Sequence, residues 1–207
     1  SPAYLIINYG CQMNEHDAEL MEGLLRARGW RATGAEAEAD LIVLNTCSVR
    51  EGAENRALSR LESLRSLKRR RPGVVIAFCG CVAQEQGARL LERYDHVDLV
   101  IGTRDFGKLP DLAEQRRNGA ERLLAIEDID KPFSIHTVPA RASRLRAYVT
   151  IMYGCDNHCS FCIVPQTRGR EWSRPLEEIA GEARRLAAEG YREVILLGQN
   201  VNSYRDE

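Results

Sequence analysis

Short apolar runs alternate with segments of helical periodicity through the first half of the chain. Continuous aliphatic runs predict strands buried on both faces. The runs predict strands over 4–8, 41–44, 74–78, 97–101 and 122–126. Apolar stripes at helical spacing predict helices over 15–28, 53–68, 85–93 and 106–118. This alternation favours right-handed βαβ units, and therefore an α/β fold with a parallel sheet of the Rossmann or flavodoxin type.

A second unit of the same kind begins near residue 147. The pattern there predicts a strand over 148–153, a helix over 176–189 and a strand over 193–197. Only about sixty residues follow residue 146, whereas a (β/α) barrel needs roughly 200 residues or more. We therefore expect the beginning of an incomplete barrel, and the chain to be a fragment.

Between the two units the periodicity fades. The segment 131–146 contains Pro132 and Pro139 and is locally basic, which is typical of a linker. We interpret residues 1–130 as one domain, 131–146 as a linker and 147–207 as the start of a second domain.

Composition and charge narrow the class of protein. The 207 residues are 44% apolar and include 29 Lys and Arg against 30 Asp and Glu, a net charge of −1. This excludes a uniformly basic nucleic-acid binder but leaves a local basic patch open. No apolar run approaches the roughly 18 residues of a membrane span. No secretory signal is visible, so we expect a cytoplasmic protein with no membrane partner.

Cysteine is the most informative residue type. The seven cysteines occupy positions 11, 47, 79, 81, 155, 159 and 162. Their number is odd and no secretory segment precedes them. In a reducing compartment such cysteines are typically metal ligands or catalytic thiols rather than disulfides.

One group of cysteines lies in a short loop after a predicted strand. Cys155, Cys159 and Cys162 have the spacing C-x3-C-x2-C. A closed structural zinc site needs four donors, whereas a [4Fe–4S] cluster held by three thiolates keeps one iron open for a substrate. The spacing therefore favours a cluster. A zinc site completed by His158 or a more distant residue is the alternative.

A second group follows predicted strands one by one. Cys11, Cys47 and Cys81 come just after the first, second and third strands. The carboxyl ends of parallel strands share one edge of a sheet, where ligands bind, so we expect a second metal centre there. The alternative is three unrelated buried thiols. Cys79 lies inside an apolar run and is expected to pack in the core, and His16 is expected on a helix surface.

Two segments are locally basic. The run 68–71 is Lys-Arg-Arg-Arg at the end of a predicted helix, where it either complements the helix dipole or contacts RNA. The segment 141–174 has six arginines against two acidic residues. Arg168, Arg170 and Arg174, with Trp172 among them, either face phosphate and stack on a base or form a salt-bridged loop.

The loop spacing, with the aromatic Phe161 before its last cysteine, resembles the radical S-adenosylmethionine (SAM) superfamily. Four further motifs are similar to the tRNA branch of the methylthiotransferases, the MiaB family. These motifs are YGCQMNE at 9–15, LNTCSVR at 44–50, GCVAQ at 80–84 and LGQNVNSY at 197–204. The ribosomal-protein branch typically has Pro-Lys-Asn where this chain has Gln-Met-Asn, and the threonylcarbamoyl-adenosine branch lacks the Gln-Asn-Val-Asn motif.

The resemblance implies a methylthiotransferase domain followed by the first βα units of a radical-SAM barrel. It implies two [4Fe–4S] clusters, an auxiliary one on the strand-end cysteines and a SAM-binding one on the loop cysteines. Gln199 and Asn200, at the end of the second barrel strand, are expected near SAM. The implied reaction is methylthiolation at C2 of N6-isopentenyl-adenosine beside the anticodon of certain tRNAs, with the methyl group and the radical both derived from SAM.

The same resemblance implies the partners. They are the tRNA anticodon stem–loop and an electron donor such as flavodoxin or ferredoxin, and the protein is expected to be a monomer. Without the rest of the barrel we expect this chain to be inactive by itself. The alternatives are a methylthiotransferase of another branch, a metal-bound RNA-binding module without chemistry, and a non-catalytic iron–sulfur scaffold or electron carrier.

Overall fold

A parallel sheet organises the first unit in the computed structural model, which describes residues 1–49, 51–129 and 138–206. Its six strands in this described part are β1 (Ala3–Tyr9), β2 (Arg31–Ala32), β3 (Leu41–Thr46), β4 (Val75–Gly80), β5 (Leu99–Ile101) and β6 (Leu123–Ala125). Their spatial order is β2-β1-β3-β4-β5-β6, and every neighbouring pair is parallel. The order reverses between β1 and β3, which is the flavodoxin-like arrangement with its ligand crevice at the carboxyl ends of those strands.

Helices cover both faces of this sheet. They are α1 (Gln12–Ala27), α2 (Glu51–Arg70), α3 (Cys81–Gln86), α4 (Ala88–Arg93) and α5 (Leu109–Arg117), the last preceded by a 3₁₀ turn at Phe106–Lys108. Side chains of α1 and α5 pack on one face, and those of α2, α3 and α4 pack on the other. The predicted α/β fold with a parallel sheet is therefore confirmed.

The central strand β3 shows why this sheet is stable. Leu41 and Val43 point into the core under α1 and α5, while Ile42 and Leu44 point into the core under α2. All four side chains are fully buried. Successive residues of a strand face opposite sides, so only a continuous apolar run fills both cores.

The second unit contains one parallel pair of strands. Strand β7 (Arg146–Thr150) pairs with β10 (Glu193–Leu197), and α7 (Leu176–Ala188) packs against β7. The short antiparallel strands β8 (Met152–Tyr153) and β9 (Trp172–Ser173) flank the cysteine loop. Helix α6 (Val164–Arg168) follows that loop, and a 3₁₀ turn at Val201–Ser203 follows β10. This is the expected opening of a βα-repeat domain.

Several local predictions need correction. The helix predicted over 85–93 is two helices, α3 and α4, because Gly87 between them adopts φ 54°. The strand predicted over 148–153 is divided between β7 and β8, which belong to different sheets. The predicted linker 131–146 lies partly outside the described residues, and its last residue, Arg146, already belongs to β7. The domain boundaries stay a prediction.

His16 is buried rather than on a helix surface, with 5% of its surface exposed. Helix α1 contacts the sheet through β1 and also contacts β7 of the second unit. A helix enclosed on two sides buries polar positions that would face water in an isolated domain. The ring Nδ1 of His16 lies 3.7 Å from Glu19 Oε2.

In the residues that the structure describes, every helix is too short or too polar to cross a membrane.

Candidate metal centres

Three cysteines meet at the carboxyl edge of the first sheet. Cys11 follows β1, Cys47 follows β3 and Cys81 follows β4. The strand register aligns these ends, because Tyr9 pairs with Thr46 and Thr46 pairs with Gly80. All three cysteines, hereafter the rim cysteines, line one cavity of about 300 Å³, hereafter the rim cavity. The structure therefore brings together the three residues that the sequence placed at separate strand ends.

Glycine 80 makes this approach possible. It has φ 96°, a left-handed conformation that disfavours side chains, and a Cβ atom there would collide with the carbonyl oxygen of Thr46. Any other residue would push the start of α3 away from the end of β3. Gly80 therefore sets the separation between Cys47 and Cys81.

An asparagine network fixes the loop that carries Cys11. The Asn14 side-chain amide donates to the carbonyl oxygen of Thr46 at 2.8 Å. The Asn45 amide donates to the carbonyl oxygen of Asn14 at 2.8 Å and to Asn8 Oδ1 at 3.0 Å. Sequence reasoning missed this network. The available signal was a polar residue, Asn8 or Asn45, ending an otherwise apolar strand.

The rim favours the thiolate form of Cys11. The pKa of Cys11 is lowered to about 5, mainly because its sulfur accepts a hydrogen bond from the Cys47 thiol. The backbone amides of Met13 and Asn14 at the start of α1 and the charge of Arg168 lower the pKa further, whereas burial opposes the shift. The pKa of Cys47 is raised in turn because its thiol holds the shared proton. Thiolates are the metal-binding form of cysteine, so this chemistry suits a metal centre.

The second unit completes the rim cavity. Thr167 and Arg168 reach it from α6, and Leu197, Gly198 and Gln199 reach it from the end of β10. Asn200 instead lines a different cavity of about 520 Å³, hereafter the second cavity, whose other walls include Asp156 and Asn157 of the cysteine loop. Gln199 and Asn200, which were predicted to lie in one place, therefore line two different cavities.

The loop cysteines are held on one turn between β8 and α6. Cys155 is buried, Cys162 is partly exposed and Cys159 is exposed. The backbone amide of Cys155 donates to the carbonyl oxygen of Gly169 at 3.1 Å, and that of Cys162 donates to the carbonyl oxygen of Cys159 at 3.0 Å. Phe161, between the last two cysteines, is 90% exposed. The exposure of this loop therefore rises from the buried Cys155 to Cys159 and Phe161 at its tip.

Each group of cysteines offers three sulfur donors. A structural zinc site needs four donors around one ion, whereas three cysteines can hold a [4Fe–4S] cluster with one iron left open. Across the described residues, no group of three or more His, Cys, Asp or Glu side chains is placed to hold a single metal ion. Sulfur ligands of this kind suit iron–sulfur clusters as well as zinc.

Two arginines and the tryptophan of the basic segment 141–174 contact other side chains of the protein. Arg168 pairs with Asp17, and Arg174 pairs with Glu182 at 3.0 Å. Trp172 stacks on Tyr153 with ring centroids 6.1 Å apart. Of the two interpretations of this segment, the salt-bridged loop is the one that the structure shows for these side chains.

The other basic run also begins with an internal contact. Lys68 Nζ lies 2.7 Å from Asp98 Oδ2 and donates to the carbonyl oxygen of Val74 at 2.6 Å. Helix α2 ends at the amino edge of the sheet, opposite the rim cysteines. Lys68 therefore stabilises that edge.

Two families match separate parts of the chain. Residues 3–102 match the family described as uncharacterized protein family UPF0004, and residues 149–207 match the Radical SAM superfamily. These matches fit an amino-terminal α/β domain followed by the start of a radical-SAM domain.

Curated relatives match nearly the whole chain. Proteins named tRNA-2-methylthio-N(6)-dimethylallyladenosine synthase match at 48% identity in Carboxydothermus hydrogenoformans, covering 98% of this chain and 46% of that protein. The protein of that name in Oceanobacillus iheyensis is 44% identical, and the match covers 97% of this chain and 39% of that protein. The one in Staphylococcus epidermidis is 45% identical, and the match covers 97% of this chain and 40% of that protein. The chain is therefore similar, over nearly its whole length, to tRNA methylthiotransferases, as the sequence motifs predicted. It spans less than half the length of these relatives.

Proposed function

We propose that this chain carries the cluster-binding sites of an enzyme that methylthiolates C2 of N6-isopentenyl-adenosine beside the anticodon of tRNA. The observation that carries the proposal is the rim cavity. Three cysteines from three parallel strands open onto it, and residues from the radical-SAM unit form its opposite wall. The names of the relatives support the isopentenyl-adenosine branch.

Each group of cysteines would hold one [4Fe–4S] cluster. The rim cysteines hold the auxiliary cluster and the loop cysteines hold the SAM-binding cluster, and each cluster keeps one iron without a protein ligand. When bound, the clusters and SAM supply the electron, the radical and the methylthio group of the reaction. The protein would supply six cysteine ligands, of which Cys11 already favours the thiolate form, and a cavity between its two units.

Two further residues have roles that differ from each other. The Oε1 atom of Gln199 is buried and, among the described residues, has no hydrogen-bond partner, while its side chain lines the rim cavity. It is therefore available to accept a hydrogen bond from a group bound there. Asn200 lines the second cavity together with Asp156 of the cysteine loop, which is the position from which it would contact SAM.

The proposed partners follow from this reaction. The substrate is a tRNA anticodon stem–loop, and a flavodoxin or ferredoxin supplies electrons. The protein works as a monomer in the cytoplasm.

Iron analysis of cysteine variants tests the two sites. After anaerobic reconstitution with iron and sulfide, we expect Cys81→Ala and Cys155→Ala each to lose about half of the iron, since each removes one ligand set. Cys79→Ala is the matched control, because the Cys79 side chain is fully buried in the core, and it should keep its iron. Equal losses in all three variants, or a colourless protein with stoichiometric zinc, would contradict the proposal.

The reaction itself is tested in the complete enzyme. Reconstituted enzyme with SAM and a reductant should convert N6-isopentenyl-adenosine in tRNA to its 2-methylthio derivative, measured by mass spectrometry of digested tRNA. Either Cys81→Ala or Cys155→Ala should abolish the product. Methylthiolation of N6-threonylcarbamoyl-adenosine in tRNA instead would move the enzyme to another branch of the family.

A further inference from the structure

A buried arginine links the two units at the rim cavity. Arg168 is the last residue of α6 and is 5% exposed. Its Nη2 donates to Asp17 Oδ2 at 2.6 Å, and Asp17 on α1 is fully buried. The backbone carbonyl of Arg168 accepts a hydrogen bond from Arg104 Nη2 at 2.7 Å. Both ends of this residue are therefore fixed by the amino-terminal unit.

The same guanidinium faces the rim cysteines. Arg168 and Cys81 line the same cavity, and the positive charge of Arg168 interacts with the Cys81 side chain. Its positive charge also reaches Cys11. One fixed cation thus serves two of the three thiols on which an auxiliary cluster would be built.

Packing alone does not account for an arginine at this position. Removing a charged pair from water is costly, and apolar residues of similar volume often stabilise a fold equally well or better. A cluster on three thiolates carries negative charge, and one-electron reduction adds more. Nearby positive charge and hydrogen bonds to the cluster sulfurs raise its reduction potential. Arg168 lines the rim cavity, where its positive charge would lie close to such a cluster.

We propose that Arg168 is a positioning residue for the auxiliary cluster, which stabilises the cluster's negative charge through Cys81 and so sets its reduction potential. Asp17 orients the guanidinium toward the rim. The inference rests on the proposed function, because it requires a cluster on the rim cysteines. Helix α6, which follows the loop cysteines, would then carry the positive charge that stabilises the cluster on the rim cysteines.

Potentiometry of the isolated auxiliary cluster tests this role. In protein whose loop cysteines are all replaced by alanine, the auxiliary cluster is reduced by one electron in a dye-mediated titration followed by absorbance and electron paramagnetic resonance. Arg168→Gln should shift the midpoint potential to a more negative value. Arg168→Lys, which keeps the charge, should stay closer to the parent.

Arg141→Gln is the matched control. The Arg141 side chain is also buried, pairs with Glu182 at 3.0 Å and lies outside the residues that line the rim cavity. Its loss should leave the potential unchanged. An Arg168→Gln protein that binds iron fully and keeps the parent potential would overturn the inference.

A second variant covers the case in which Arg168→Gln fails to fold. The double variant Asp17→Asn, Arg168→Gln removes both buried charges and leaves no unpaired carboxylate. Because the guanidinium lines the same cavity as Cys81, this protein should still have a more negative potential than the parent, and an unchanged potential would overturn the inference. Failure of the proposed function is distinct, because Cys81→Ala would then retain all of its iron.

Discussion

Individual residues at the rim act by fixing backbone rather than by touching a ligand. Asn45 ends an apolar strand and ties the loop of Cys11 to β3 through the carbonyl oxygen of Asn14. The end of β4 at Gly80 separates Cys79, which packs in the core with Leu99, from Cys81, which begins α3 and lies on the rim. The sequence predicts that separation, because only one of the two cysteines follows the end of the apolar run.

Replacing Asn45 tests the network. Asn45→Leu should lower the free energy of unfolding by about 1–3 kcal/mol, because it leaves the buried carbonyl of Asn14 without its donor. Urea denaturation measures this loss, and the iron content of the reconstituted variant should fall with it. Asn118→Ala, at an exposed position after α5, should change stability by no more than ~0.5 kcal/mol. An Asn45→Leu protein as stable as the parent would show that the network is dispensable.

Secondary-structure elements were predictable where periodicity is long enough to read. The helices α1, α2 and α7 and the buried strands were predicted within a few residues. Strand β2 was missed because Arg31–Ala32 is short and exposed, so its pairing with β1 depends on backbone alone. Helix α6 was missed because five residues are too few to show a helical repeat. Short elements at the site depend on tertiary contacts rather than on their own pattern.

The apolar stripe of α2 gives an element-scale prediction. Leu61 is fully buried between α2 and the sheet, so Leu61→Ala should cost about 2–5 kcal/mol in unfolding free energy through the cavity it leaves. Ser59→Ala, on the exposed side of α2, should change little. Thermal and urea unfolding measure both variants. A loss below 1 kcal/mol for Leu61→Ala would mean that α2 repacks freely.

At the scale of the whole molecule, α1 joins the two units. Tyr148 of β7 donates to Glu15 Oε2 at 2.6 Å, and Arg168 of α6 pairs with Asp17, two residues further along α1. Thr103 adds a third link, donating to the carbonyl oxygen of Thr167 at 2.5 Å. The helix that begins at the rim thus also carries the polar contacts that place the radical-SAM unit against it.

The contact between Tyr148 and Glu15 is open to a direct test. Tyr148→Phe should lower the unfolding free energy by roughly 1.5–3 kcal/mol, because it removes one hydrogen bond to a charged group. The control is Tyr191→Phe, whose hydroxyl has no hydrogen-bond partner in the described part of the chain. Differential scanning calorimetry compares the two, and equal stability would show that the units are held by other contacts.

The sequence by itself determined the α/β class, the loop of three cysteines, the three strand-end cysteines and, through its motifs, the resemblance to the methylthiotransferases. These features depend on local patterns, since apolar runs and residue spacing are properties of neighbouring positions in the sequence. Tertiary structure decided which cavity Gln199 and Asn200 each face, the burial of His16 and the pairing of Arg168 with Asp17. Those outcomes depend on contacts between residues far apart in the sequence, 151 positions for Asp17 and Arg168, which no local pattern encodes.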